Sequence, residues 1–177
     1  MPLVLSGAGA ITGLTSVPSS GLQLADANMP TGSVLQVIQG TITSSQVVVA
    51  AGNALVSTGI SATITPQSAS SKILVIPVIT NLYNLGAGGA GFAIYRNDTN
   101  VYVHGYAQSG GYLGSIYNSA SNISGVSFPY LDSPSTASAV TYTLYWGAYQ
   151  STNYINYQGA STVNGTGSYI TLMEIAG

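Results

Sequence analysis

The stretch Ser70-Ser71-Lys72-Ile73-Leu74-Val75-Ile76-Pro77-Val78-Ile79-Thr80 limits the possible folds more than any other. Its apolar run is far shorter than the roughly 20 residues that a membrane-spanning helix needs. Short, rich in Val and Ile, and flanked by turn-forming residues, it predicts a β-strand buried on both faces. Pro77 supplies no backbone donor, which predicts a place at a sheet edge or a bulge. A strand that is greasy on both sides needs cover from two directions, either a second sheet or a neighbouring subunit.

Composition sharpens that demand. Only 3% of the 177 residues are charged, against about 25% in ordinary soluble domains. A lone subunit relies on surface charge to stay dispersed. A chain that is 46% hydrophobic, with 13 tyrosines and a net charge of −2, is therefore expected to associate with copies of itself. With Lys72 and Arg96 as the whole basic complement, there is no electrostatic footprint for nucleic acid. There is no cysteine, which excludes disulfides and thiolate metal sites. The start Met1-Pro2-Leu3-Val4-Leu5-Ser6 lacks the basic region of a secretory signal, so synthesis and folding in a cytoplasm are expected.

Residues 1–32 differ in character from the rest of the chain. Leu3, Val4, Leu5, Ile11 and Leu14 are spread among Gly, Ser and Pro, too few for a core of their own. They predict an extended N-terminal anchoring arm that docks elsewhere. Residues 33–177 read as one all-β domain. Candidate strands are 34–39, 46–50, 60–65, 72–80, 91–96, 101–106, 114–118, 123–128, 140–149, 154–157 and 169–176. Turn residues separate them at the spacing of an antiparallel β-sandwich or jelly roll of about ten strands. Arg96-Asn97-Asp98-Thr99-Asn100 reads as a hairpin turn. Strand alternation places Val101 and Val103 on one face and Tyr102, His104 and Tyr106 on the other. The aliphatic face is expected inside, and the Tyr/His face is expected at an interface. Along 140–147, Val140, Tyr142, Leu144 and Trp146 share a face opposed by Thr141, Thr143 and Tyr145.

The residues offer little for catalysis. A nucleophilic triad would have to use His104, the single histidine, which lies mid-strand with no acid near it in sequence. Paired carboxylates would have to come from Asp26, Asp98, Asp132 and Glu174. Asp98 and Asp132 fall in apparent turns. Glu174 shares a face with Ile170 and Leu172, which predicts burial, with Lys72 or Arg96 as its partner. Gly86-Ala87-Gly88-Gly89-Ala90-Gly91 satisfies the dinucleotide-loop spacing, but a strand-like segment follows where a helix is needed. It reads as a flexible loop. No catalytic residue, metal ligand or cofactor is expected. What remains is aromatic: Tyr102, His104, Tyr106, Tyr112, Trp146, Tyr149 and Tyr154 are the candidate interface or glycan contacts. Such rings among amides and hydroxyls suit both polar protein interfaces and sugar surfaces.

Several segments resemble one module, in order. They are Thr63-Ile64-Thr65-Pro66 with Ser68-Ala69-Ser70-Ser71-Lys72-Ile73-Leu74-Val75, then Phe92-Ala93-Ile94-Tyr95-Arg96 and Leu131-Asp132-Ser133-Pro134. Thr141-Tyr142-Thr143-Leu144-Tyr145 and Ile170-Thr171-Leu172-Met173-Glu174-Ile175-Ala176 complete the set. Together they resemble the C-terminal β-rich module of bacteriophage tail-fibre-type virion proteins over about residues 33–177. Residues 3–14 resemble the start of such fibres. The resemblance implies a non-enzymatic, homotrimeric virion appendage that contacts other virion proteins, with a host surface glycan as a candidate partner. Fibre chains usually carry a long shaft between start and module, whereas here only about 20 residues separate them. A stubby fibre or spike, a capsid decoration protein bracing the shell, and a free carbohydrate-binding module therefore all stay open.

Overall fold

The computed structural model describes residues 29–41, 47–49, 55–86, 88–105, 116–118, 123–149, 151–157 and 167–177. Among these the regular structure is entirely strand: β1 (Val34–Thr41), β2 (Val47–Val49), β3 (Val56–Ile64), β4 (Lys72–Asn84), β5 (Gly88–Arg96) and β6 (Thr99–His104), then β7 (Ile116–Asn118), β8 (Ile123–Ser127), β9 (Tyr130–Asp132), β10 (Val140–Tyr149), β11 (Asn153–Ile155) and β12 (Tyr169–Ile175). They pair antiparallel in two sheets, a β-sandwich. Every expected strand is present. One more, β9, occupies Tyr130-Leu131-Asp132 where the sequence suggested a turn. The anchoring-arm residues Leu3, Val4, Leu5, Ile11 and Leu14 lie outside the described residues.

The apolar run becomes β4, the axis of the seven-stranded sheet. One flank pairs with β12 and then β11, the other with β9 and then β8. Its faces are unequal. Ile73, Val75, Pro77, Ile79 and Leu82 are buried in the sandwich, while Leu74, Ile76 and Val78 on the outer face are half-buried. Pro77 thus sits in a central strand, neither at an edge nor in a bulge. It is tolerated because β9 stops opposite Val75 and β8 starts opposite Val78, so Pro77 faces the gap between them.

The five-stranded sheet runs β3-β10-β5-β6, with β7 alongside β5. β10 supplies Tyr142, Leu144 and Trp146, which pack on Phe92 and Ile94 of β5 and on Ile73, Val75, Ile170 and Leu172 across the sandwich. Trp146, one of the candidate surface aromatics, is fully buried there, stacked on Phe92 at 6.3 Å between centroids. Gly88–Gly91, expected in a flexible loop, forms the buried start of β5. Asn84 and Asn153, paired across β4 and β11 and fully buried, clamp it by donating to the carbonyls of Gly88 and Gly89 at 3.0 and 2.8 Å.

The sandwich is sealed differently along its two long seams. At one, β1 lies so close to β3 that a methyl group on Gly40 would overlap the Ser61 carbonyl. There Gln36 donates to the Thr65 carbonyl at 2.8 Å. At the other seam the closure is aromatic. Tyr102 stacks on Tyr130 at 4.7 Å, and His104 lies parallel to Phe128 at 4.7 Å. Val101 packs against the core as expected, but past a register shift the orientation expected of Tyr102, Val103 and His104 is reversed. Register sets His104 beside Phe92 and Tyr102 beside Ile94, both core residues, so the Tyr/His face points inward. Val103 points out and is 41% exposed.

A candidate interaction face

Of the candidate acids and bases, Asp26 lies outside the described residues and the other four sit in separate settings. Asp132, buried on β9, accepts hydrogen bonds from Arg96 and from the Tyr142 hydroxyl, each at 2.7 Å. Burial, reinforced by that bond to Asp132, pushes the Tyr142 hydroxyl well above the usual phenol range. Glu174 is fully buried, as its alternation implied, but its partners are amides. Gln36 Nε2 donates to it at 2.6 Å and the Gln67 backbone at 2.7 Å. Neither cation can serve it, because Lys72 alternates outward on β4 and Arg96 is engaged with Asp132. His104 belongs to the aromatic seam, and Asp98 is exposed at the β5–β6 hairpin tip with φ 64°. Among the described residues no three His, Asp or Glu side chains gather as a metal site.

The outer faces of the two sheets differ in chemistry. On the five-stranded sheet the outward residues of β3 and β10 are Ser57, Ser61, Thr63, Thr141, Thr143 and Tyr145. Thr63 and Thr141 share a hydroxyl–hydroxyl bond of 2.8 Å. These hydroxyls are readily solvated, and the apolar side chains exposed on this sheet, Val56 and Val103, stand apart on β3 and β6. On the seven-stranded sheet the register aligns Leu131, Leu74, Met173 and Val37 in one row across β9, β4, β12 and β1. Leu131 is 49% and Val37 54% exposed. Ile76 and Val78 continue the apolar surface along β4, and Ile175 and Val34 flank it. Among the described residues, the one charged side chain on these strands' outer face is Lys72, at the rim. Strand spacing makes the patch roughly 15 by 20 Å, on the order of 300 Å2.

Farther along the same face stands a group of tyrosines. Tyr83 of β4 stacks on Tyr157 at 4.0 Å, and Tyr154 of β11 is tilted against both at 6.0 and 5.6 Å. Two asparagines in the left-handed conformation, Asn81 (φ 48°) and Asn156 (φ 56°), bring these rings together. Asn tolerates that geometry better than most residues. The backbone NH of Asn156 donates to the Thr80 carbonyl, and that of Tyr157 to the Asn81 carbonyl. Beneath them Asn156 Oδ1 accepts from the Ser168 NH at 2.9 Å and the Ser168 hydroxyl at 2.7 Å.

Of the aromatic residues singled out in the sequence, Tyr154 lies in this half-buried cluster. Tyr102 and His104 are seam residues and Trp146 is core. Tyr106, Tyr112 and the side chain of Tyr149 lie outside the described residues. Sequence reasoning missed Tyr83. Its signal was present, since it follows the apolar run by a few residues, but the expected strand stopped at Thr80. No protein-family model matches this chain, and no curated protein matches it.

Proposed function

We propose that this chain is a non-enzymatic structural subunit of a bacteriophage virion, a homotrimeric fibre or spike whose jelly-roll-like body carries an N-terminal anchoring arm. The difference between the two outer faces carries the reading. One is hydroxyl-rich and suited to water. The other presents Val37, Leu74, Ile76, Leu131 and Met173, with a single charge at its rim. Depletion of charge together with Met and aromatic residues is the composition of a subunit interface. Like copies meeting there would bring few like charges together, so self-association costs little electrostatically. The resemblance to tail-fibre-type modules supplies the virion setting, with other virion proteins as partners of the arm.

Native mass in solution tests this directly. A stable species at three times the chain mass is expected. Well-behaved single copies at micromolar concentration would overturn the reading. A capsid decoration protein shares the body, the arm and the trimer. Copy number separates the two, since a few dozen or fewer per particle fits a tail or vertex and hundreds fits the shell.

A further inference from the structure

If the seven-stranded sheet faces neighbouring subunits, the five-stranded sheet faces out, and one feature of that face is out of place on a merely solvated surface. Tyr95 of β5 and Tyr145 of β10 lie on it with rings stacked at 4.0 Å and 25°. The ladder sets Tyr95 beside Thr143 and Tyr145 beside Ala93, so the two rings are diagonal neighbours on adjacent central strands. Small residues lie next to them at Ala93, Gly91 and Gly147, and beyond Ala93 the row ends in the exposed Val103 of β6. On the other side of β10, Ser57 lies beside Tyr145, Ser61 beside Thr143 and Thr63 beside Thr141. The result is an apolar aromatic strip edged by hydroxyls on the β3 side and by Val103 and Asn100 on the β6 side. The charged side chains nearest in sequence are accounted for, because Arg96 is held by Asp132 and Asp98 sits at the hairpin tip.

We propose that the Tyr95–Tyr145 strip binds a neutral carbohydrate on the outward face of the assembly. The C–H face of a pyranose ring stacks on an aromatic surface, while its hydroxyls exchange hydrogen bonds with Ser and Thr hydroxyls alongside. The absence of charge on the strip selects an uncharged sugar over an acidic one. The flatness of a sheet face favours an extended chain of sugars over a single deeply enclosed one. This proposal deepens the virion-subunit reading and rests on it only for which face points outward.

The test is saturation-transfer NMR on the intact assembly. Methyl α-glucopyranoside, methyl β-galactopyranoside, methyl α-mannopyranoside and their neutral trisaccharides serve as probes, with native mass measured on the same samples. Transfer to C–H protons of at least one probe is expected. It should fall by about fivefold in Tyr145→Ala, the loss of one stacking contact. Thr143→Lys, which puts a long charged side chain beside Tyr95 without touching the core, should reduce it likewise. No transfer to any probe, or transfer unchanged in both variants, overturns the proposal. A trimeric mass with no transfer removes this site and leaves the subunit reading intact. A monomeric mass with tyrosine-dependent transfer does the reverse.

Discussion

Tyr142 shows at the residue scale how a chain with so few charges uses them. Its hydroxyl is buried beside Asp132, which also holds Arg96, so three polar side chains satisfy one another where β5, β9 and β10 converge. Burial, and then the adjoining carboxylate, keep the phenol neutral, raising it above its ordinary value. A group raised in the folded state contributes stability that is complete below the unfolded value near 10 and is lost as pH climbs above it. Stability should therefore decline on the alkaline side, and Tyr142→Phe should lack that part of the decline. At neutral pH the variant loses one bond to a charged acceptor, costing about 1–3 kcal/mol. Urea midpoints at pH 7 and above pH 10 check both statements. A variant with the same alkaline slope as the parent would assign the effect to another group.

At the scale of elements, Gly40 makes the most exposed prediction. A methyl group there meets the Ser61 backbone, which no side-chain rotation can relieve, so β1 must move away from β3. Gly40→Ala should cost about 1–3 kcal/mol, typical of overpacking, read as a lower thermal midpoint. An unchanged midpoint would mean that the seam yields without strain. The elements also show what could be read in advance. Alternation was enough for β10, where Val140, Tyr142, Leu144 and Trp146 share a face and all are buried, and for the burial of Glu174. It held for Val101 but failed at Tyr102, Val103 and His104, because the ladder with β5 shifts register and breaks the alternation between the two faces of β6. Only the register with β5 decides which one turns inward, and register depends on residues far away in sequence. β9 was hidden for a related reason. Three residues before Ser133-Pro134 look like a turn until β4 is there to pair with them. Glu174's partners were equally illegible, since the amides of Gln36 and Gln67 reach it only once β1 lies beside β12.

For the whole molecule, the outer face of the seven-stranded sheet predicts the effect of a single charge. Leu74 lies in the middle of the exposed row, between Leu131 and Met173. Leu74→Asp should leave the β signature in circular dichroism but shift the native mass to one chain, since an unpaired charge in a desolvated interface costs several kcal/mol. A trimer retained by this variant would place the subunit contact elsewhere. On the proposed virion role, deleting residues 1–20 should leave the body folded and abolish incorporation into particles, and truncated chains found in purified virions would contradict the anchoring role. The β1–β12 ladder carries one further implication. Val34 pairs with Ile175, and the final strand inserts between β1 and β4. The sheet therefore cannot close around its axis until residues 169–175 have emerged, long after β1 and β4. Such distant pairing makes for slow folding. Newly made chains will spend that interval with β4 uncovered along one side, and expression with too little chaperone should lose them to aggregation before β12 arrives.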